Sequence, residues 1–432
     1  MTGRQATASG GAAPLRKRTA PTTVHFLTHD ILCMVFSFLD LLDLARCSGV
    51  CKFWNVTIAN SKLLHTLLSK QDKSSVSLSD VSSSSGGLLK ISLQELAMDR
   101  HRLSLQEGAA NIFQWRGHSI GIDQCRMKTG LILTGVGDKV MRLWSSESCR
   151  FLDEFGLPDR APLVDFDFDE AKVVGLVGTR ICIWRRNGKR NIVSSREGLF
   201  TKGLCMRYVD PGAVVGCEDG TVRVFDMYSR SCSQIIKMHS GTVTCLALSD
   251  DQLIVSGSSL GGVTLSDLSS DQQVAALRPT NSGGIRSLSL NPCSHLVFAG
   301  TTAGYVTCWD FRMGKALWNN RVSPNVIYSM NHMRSDNSTL AVGGIDGVLR
   351  ILDQETGEVL SRCIMDYDSS SSSRISVNSR VQVHKARRLS EDDRIDVIPR
   401  GYRPAIRCLA VGMERIVTTH NQKHITLWKF SR

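Results

Sequence analysis

One phrase recurs seven times along this 432-residue chain, and it constrains the fold more than any other feature. It is an apolar–small–Gly run, a turn, and then alternating apolar residues that end in Trp or a substitute. The phrase ends at Trp144, Trp184, Phe225, Ser266, Trp309, Leu352 and Trp428, with successive separations of 40, 41, 41, 43, 43 and 76 residues. A repeat of this period marks an array whose units cannot bury their apolar faces alone and must stack on neighbours. Each phrase reads as two short period-two strands across a Gly/Asp turn. Another apolar strand precedes each (IDQCRM, LVDFDF, LCMRYV, VTCLAL, IRSLSL, VIYSMN, IRCLAV), and the connecting segment supplies a fourth. Seven units of four strands predict a mainly β fold, a seven-bladed β-propeller.

The phrase resembles the WD40 repeat, over about residues 109–432. That resemblance implies a structural tetrad of His, Ser/Thr, Asp and Trp joined by hydrogen bonds within a blade. The first repeat has all four, as His118, Thr134, Asp138 and Trp144. The others are degraded. Asp219 and Asp346 remain in the third and sixth repeats, the fourth keeps His239 and Ser256, and the seventh keeps Thr418 and Trp428. Most blades must therefore hold by apolar strand packing. No nucleophile, base and orienter converge, and no Gly-rich phosphate loop opens a helix, so the chain reads as a non-catalytic protein without a cofactor.

The chain ends four residues after Trp428, which leaves the seventh repeat without an outer strand of its own. An open sheet edge there is an aggregation hazard. The unassigned stretch Ala110–Trp115 is expected to close the ring, as WD40 propellers do. The last separation exceeds one period by about 34 residues. The excess contains DYDSSSSSRISVNSR and HKARRLSEDDRIDVIPR, poor in large apolar residues. It reads as a disordered insertion at about 365–402 between the last two blades, within a propeller spanning 105–432. Arg387 and Arg388 before Ser390 look like a basophilic kinase site.

Residues 24–68 carry a different period. Leu27, Ile31, Leu32, Val35, Phe36 and Leu39 step as a helical stripe. Thr28 is placed to cap it, with Leu27 against Leu32 as a hydrophobic staple. A short helical turn follows Asp43 with Leu44 inward, and a third helix carries Val50, Cys51, Trp54 and Ile58 on one face. About 45 residues in three short helices rarely bury enough area to stand alone. A first helix apolar nearly all round must cover two sides, against the propeller or against another protein.

This pattern closely resembles the F-box, with matches at Leu27, Asp30, Ile31, Leu32, Val35, Phe36, Ser37, Phe38, Leu39, Asp43, Leu44, Val50, Cys51, Lys52 and Trp54, and Thr28 where Pro is usual. The resemblance implies insertion against Skp1, the adaptor of cullin-RING ubiquitin ligases, through Leu27, Ile31, Leu32, Val35, Phe36, Leu39, Leu44, Val50 and Trp54. A Ser-rich linker (69–87) and a helix with Leu89, Leu93, Leu96 and Leu103 (88–104) lead to the propeller.

The two modules together resemble F-box/WD40 proteins, the substrate receptors of SCF ubiquitin ligases. That implies a Skp1-like adaptor, a cullin reached through it, and a protein substrate on the propeller's narrower face. Arg286 and Arg407 stand at the start of innermost strands there, where Thr244, Ile327 and Asp123 are read as their counterparts. Arginine forks suit phosphate, so a phosphorylated protein substrate is among the partners they fit. A WD40 scaffold outside ubiquitination is the competing reading.

Composition bounds the rest. The net charge of +12 includes +4 in the basic tail 1–23 and +3 in 361–404, so a nucleic-acid groove is the weaker expectation. None of the 14 cysteines forms a CxxC pair, and no metal site is expected. Without a long apolar run or a secretory signal, the protein is expected in the cytoplasm or nucleus, with no membrane role.

Overall fold

The computed structural model describes residues 27–39, 41–61, 85–135, 139–157, 162–186, 193–194, 201–270, 272–280, 283–366 and 381–431. They fall into two compact units, Met1–Ala97 and Met98–Arg432. The basic tail 1–23 and most of the Ser-rich linker lie outside the described residues.

The first unit contains α1 (His29–Phe36), α2 (Leu41–Ser48) and α3 (Lys52–Asn60). Leu32 and Phe36, one helical turn apart, point the same way and meet Leu44 and Ile58 in a small core. Leu27, Leu39, Cys47 and Trp54 pack around it, and the Phe36 and Trp54 rings meet edge-on at 5.3 Å. Leu27 and Leu32 share this core, as a staple requires. Thr28 differs from expectation. It holds the N-cap backbone position, but its exposed side chain makes no capping hydrogen bond. The first turn is closed by Leu32 N–H to Thr28 O at 3.1 Å; donors at an exposed helix end are otherwise served by water. The second helix begins at Leu41, before Asp43 rather than after it. At α3 the Cys51 thiol caps, accepting the Trp54 N–H at 3.5 Å.

A longer helix, α4 (Ser85–Glu107), follows, wider than the 88–104 expected. From Met98 onward it belongs to the second unit. Leu105 is buried in the core of the last two blades, Arg102 Nε donates to Asp336 at 3.1 Å, and His101 Nδ1 accepts the Glu414 N–H at 2.9 Å.

The second unit is a ring of seven four-stranded antiparallel blades. The innermost strands are Gln124–Lys128, Leu163–Phe168, Gly203–Val209, Val243–Leu248, Ile285–Asn291, Ile327–Asn331 and Cys408–Gly412. Each packs on the next, and the last packs on the first. Turn glycines in the blades are set by backbone conformation. Gly220 and Gly304 have φ of +80° and +86°, and their carbonyls accept N–H groups of the strand-to-blade connection at Met238, His239, Val322 and Ser323. A side chain there would be both strained and crowded by His239 O or Ser323 O.

The ring closes as the sequence led us to expect. Ala110–Arg116 pairs antiparallel with His424–Phe430, Ala110 opposite Phe430 through Arg116 opposite His424, and becomes the outer strand of the seventh blade. The insertion departs from expectation. Val381–Arg388, read above as disordered, forms a strand between Ala110–Arg116 and the sixth blade's outer strand Val359–Asp366. Blades six and seven thereby become one nine-stranded sheet. Two outer strands each offered a row of backbone donors and acceptors, and one segment satisfies both; this needs no apolar face. Beyond it Leu389 is buried with Val348 and Ile364, with Ile395 and Ile398 packed against them. Residues 367–380 of the insertion lie outside the described residues. Ser390 closes a turn, its N–H and hydroxyl donating to Asp393 at 2.7 and 3.1 Å, while Arg387 lies 3.5 Å from the same carboxylate. Among the described residues, no helix is long and apolar enough to cross a membrane.

Candidate functional site

The helical unit divides its apolar residues into two sets. Of the nine expected to face an adaptor, Leu32, Phe36 and Leu44 are at most 2% exposed and form the unit's own core. A side chain in internal packing supports a surface without forming it. Leu27, Leu39 and Trp54 are half-buried, whereas Ile31, Val35 and Val50 are exposed. The exposed set also includes Met34, Phe53, Val56 and Phe38, the last 85% exposed. Phe53 and Val56 escaped the sequence analysis, although their three-residue spacing on α3 marks a stripe opposite Ile58. Large apolar side chains gathered at this density on a small unit mark a contact surface.

In the propeller, His118 Nε2 lies 2.9 Å from Thr134 Oγ1, and Trp144 Nε1 donates to the same oxygen at 3.0 Å. Asp138 lies outside the described residues, so three of the four expected tetrad members are seen joined. Arg142 Nη1 reaches within 3.3 Å of His118 Nδ1. These groups are buried behind strands and serve the blade.

Other blades use substitutes. In the seventh, Trp428 Nε1 donates to Thr418 Oγ1 at 3.0 Å and His420 Nε2 lies 2.9 Å from that oxygen. His420 Nδ1 lies 3.2 Å from Pro404 O and 3.3 Å from Ala405 O, so it carries the proton and donates to them. Burial pushes the His420 pKa down to about 4. In the sixth blade Asp346 pairs with Arg350 at 2.5 Å, both buried, in place of a histidine partner.

The innermost strands are tied side chain to neighbour around the whole ring. Arg126 Nη2 donates to Asp165 Oδ1 at 2.8 Å, and Asp165 Oδ2 accepts the Met206 N–H at 3.0 Å. Cys205 Sγ–H donates to Val243 O, Thr244 to Ile285 O, and Ser287 to Ile327 O. Ser329 Oγ accepts the Leu409 N–H at 3.0 Å, and Cys408 Sγ–H donates to Cys125 O at 3.4 Å, which returns to the first blade. The second blade adds Asp167, which pairs with Lys128 at 2.7 Å and accepts the Tyr208 N–H at 3.1 Å. Burial opposes ionisation of Asp167, but Lys128 and Arg126 outweigh it and hold the carboxyl below the usual range.

Arg286 and Arg407 stand at matching places one strand start apart from Tyr328. In the fifth blade the register slips between Ile285 and Ser287, and in the sixth between Ile327 and Ser329. The extra residue of each bulge is Arg286 and Tyr328, so Tyr328 and not Ile327 is the counterpart. A bulge re-aims the side chain of its extra residue, a shift that counting along the sequence misses. Arg286 is exposed. Arg407 is half-buried, 4.4 Å over the Tyr328 ring, and its charge acts on Asp123 of the first blade. The two arginines are not brought into contact.

Comparison with known proteins agrees with both units. The F-box-like family model matches residues 29–70, and the WD domain, G-beta repeat model matches residues 230–264. The chain is 50% identical over 454 residues to an F-box/WD-40 repeat-containing protein of Arabidopsis thaliana, At3g52030, covering 99% of each. It is also 24% identical to Cell division control protein 4 of Saccharomyces cerevisiae, over 53% of this chain and 26% of that one. A match to COMPASS component SWD3 of the same yeast is 26% identical over 41% of this chain and 56% of the other.

Proposed function

The chain belongs to the F-box/WD-40 repeat-containing proteins, and from that we propose that it is the substrate-recognition subunit of an SCF-type ubiquitin ligase. In this reading the helical unit binds a Skp1-like adaptor, and through it a cullin. The propeller captures a protein substrate in the cytoplasm or nucleus. The observation that carries the proposal is the exposed set Ile31, Met34, Val35, Phe38, Val50, Phe53 and Val56 on a unit whose own core is already filled. Such a surface gains by burial roughly 25 cal/mol per Å² removed from water. The subunit itself performs no chemistry. It raises the local concentration of substrate lysines beside a charged conjugating enzyme, so its contribution is proximity.

On the propeller, Arg286 and Arg407 are proposed to meet an acidic or phosphorylated segment of the substrate. Arg286 is exposed and Arg407 rests 4.4 Å over the Tyr328 ring, a contact that lowers the ordering cost of a fork-shaped contact. Co-purification tests the first half. Wild-type chain should bring down Skp1 and a cullin, and Met34→Asp with Phe38→Asp should lose at least about tenfold of both, since each buried apolar anchor is worth over about 1.4 kcal/mol. Arg286→Glu with Arg407→Glu should keep the adaptor and lose substrate. A wild-type chain that recovers no Skp1 would instead leave a WD40 scaffold acting outside ubiquitination.

A further inference from the structure

A groove of about 330 Å³ lies between the fifth and sixth blades, lined by Arg321, Ser323, Pro324, Arg350, Arg362 and Ile395 among others. Three arginines from three strands converge on it. Arg321 ends the fifth blade's outer strand Lys315–Arg321, Arg350 lies in Leu349–Asp353, and Arg362 lies in Val359–Asp366. Arg350 and Arg362 are direct partners across an antiparallel pair, so both side chains leave the same face of the sheet. Like charges directly opposite each other destabilise a sheet unless a counter-charge sits between or beside them.

Only part of that charge is answered. Arg350 is 3% exposed and spends one nitrogen on Asp346 and another on Val348 O. Arg321 donates to Pro324 O at 3.2 Å and lies 5.9 Å over the Tyr305 ring, so no carboxylate answers its charge among the described residues. The Arg362 guanidinium has no partner among the described residues, although the residue is half-buried. Its five donors are arranged as a fork that fits the oxygens of phosphate two at a time. Ser323, nearly buried at the floor, adds a hydroxyl.

We propose that this groove is a binding site for a phosphate-type oxyanion, held by Arg362 and Arg321 with Arg350 fixed behind them by Asp346. The oxyanion comes either from a phosphorylated side chain of a bound protein or from a free phosphate compound. The site is separate from Arg286 and Arg407, and it does not depend on the adaptor role of the helical unit. Its unusual feature is Arg362, a half-buried guanidinium whose charge no described neighbour answers, a local cost to the empty protein that an anion removes. Residues kept at a cost to stability are a signature of binding sites.

The test uses the full chain at constant ionic strength in chloride, titrated with inorganic phosphate and with a fluorescein-labelled phosphoserine tripeptide. Both should bind wild-type protein and raise its Tm. Arg362→Gln should weaken both at least tenfold while leaving the Tm in phosphate-free buffer equal or higher, and Arg362→Lys should retain part of the affinity. Arg150→Gln, at an exposed arginine of the first blade, should bind both probes as wild type does. Equal affinity for the two probes identifies a free phosphate compound as the source, and a tenfold preference for the tripeptide identifies a protein side chain. Undiminished binding in Arg362→Gln, an equal loss in Arg150→Gln, or a lower phosphate-free Tm in Arg362→Gln would each overturn the assignment. None of these outcomes touches Skp1 co-purification, so the two proposals fail separately.

Discussion

His420 shows how a degraded repeat keeps its polar groups satisfied. The seventh repeat has no histidine upstream of Thr418 at the spacing used by His118 and His239. Two residues after Thr418, His420 turns back to the same hydroxyl and spends its other nitrogen on Pro404 O and Ala405 O. The ring is thereby held neutral, with its pKa pushed down to about 4 by burial. An unfolded histidine titrates near 6.5. Between those values the unfolded chain binds the additional proton, so this contribution is intact above pH 6.5 and is lost as pH falls toward 4, on the order of 3 kcal/mol in all. Melting of wild type and His420→Gln from pH 7 to pH 4.5 should show a steeper fall for wild type. Parallel slopes would rule the histidine out as the source. Among the ring links the same economy recurs: Asp165, Cys205, Thr244, Ser287, Ser329 and Cys408 each bind the next strand's backbone. These links explain how three repeats can lack the terminal Trp and still stack.

At the scale of elements, the closing strand and the bridging strand have different weights. Ala110–Arg116 buries Ala110, Ile112 and Trp115, and Ile112 lies opposite Trp428 on one side and His384 on the other. Burying each such side chain contributes roughly 1.5–3 kcal/mol. Val381–Arg388 is mostly exposed and is held by its backbone. Deleting 105–116 should therefore abolish the cooperative melt followed by circular dichroism. Deleting 381–388 should lower the Tm by several degrees and keep the transition, because the closing strand retains its pairing with His424–Phe430. Loss of cooperativity in the second deletion would make the bridge, and not the closing strand, the fastener. The closing strand was legible because it is apolar, alternating and unassigned. The bridge was not, since VQVHKARR has no apolar face and its position is set by two edges contributed from far along the chain.

For the whole molecule, two compact units imply separable folding and separable binding. A fragment of residues 85–432 should melt within about 2 °C of the propeller transition in the full chain and recover no Skp1, because the clusters that hold the ring draw on no residue before Met98. A large shift in that transition would show that the helical unit carries part of the propeller's stability.

Strand period, turn glycines and helical stripes are local properties, so the order of residues alone revealed seven blades, an upstream closing strand and a three-helix F-box unit. Burial is not local, because it depends on what the folded chain brings opposite each side chain. Only the tertiary structure separates Leu32 and Phe36, which fill a core, from Ile31 and Val35, which remain exposed on the same helix. Only it sets Arg350 against Arg362, places Tyr328 on the bulge between two arginines, and draws Val381–Arg388 into the sheet. In each case the deciding partner comes from another strand or helix, at a distance in sequence that no local pattern encodes.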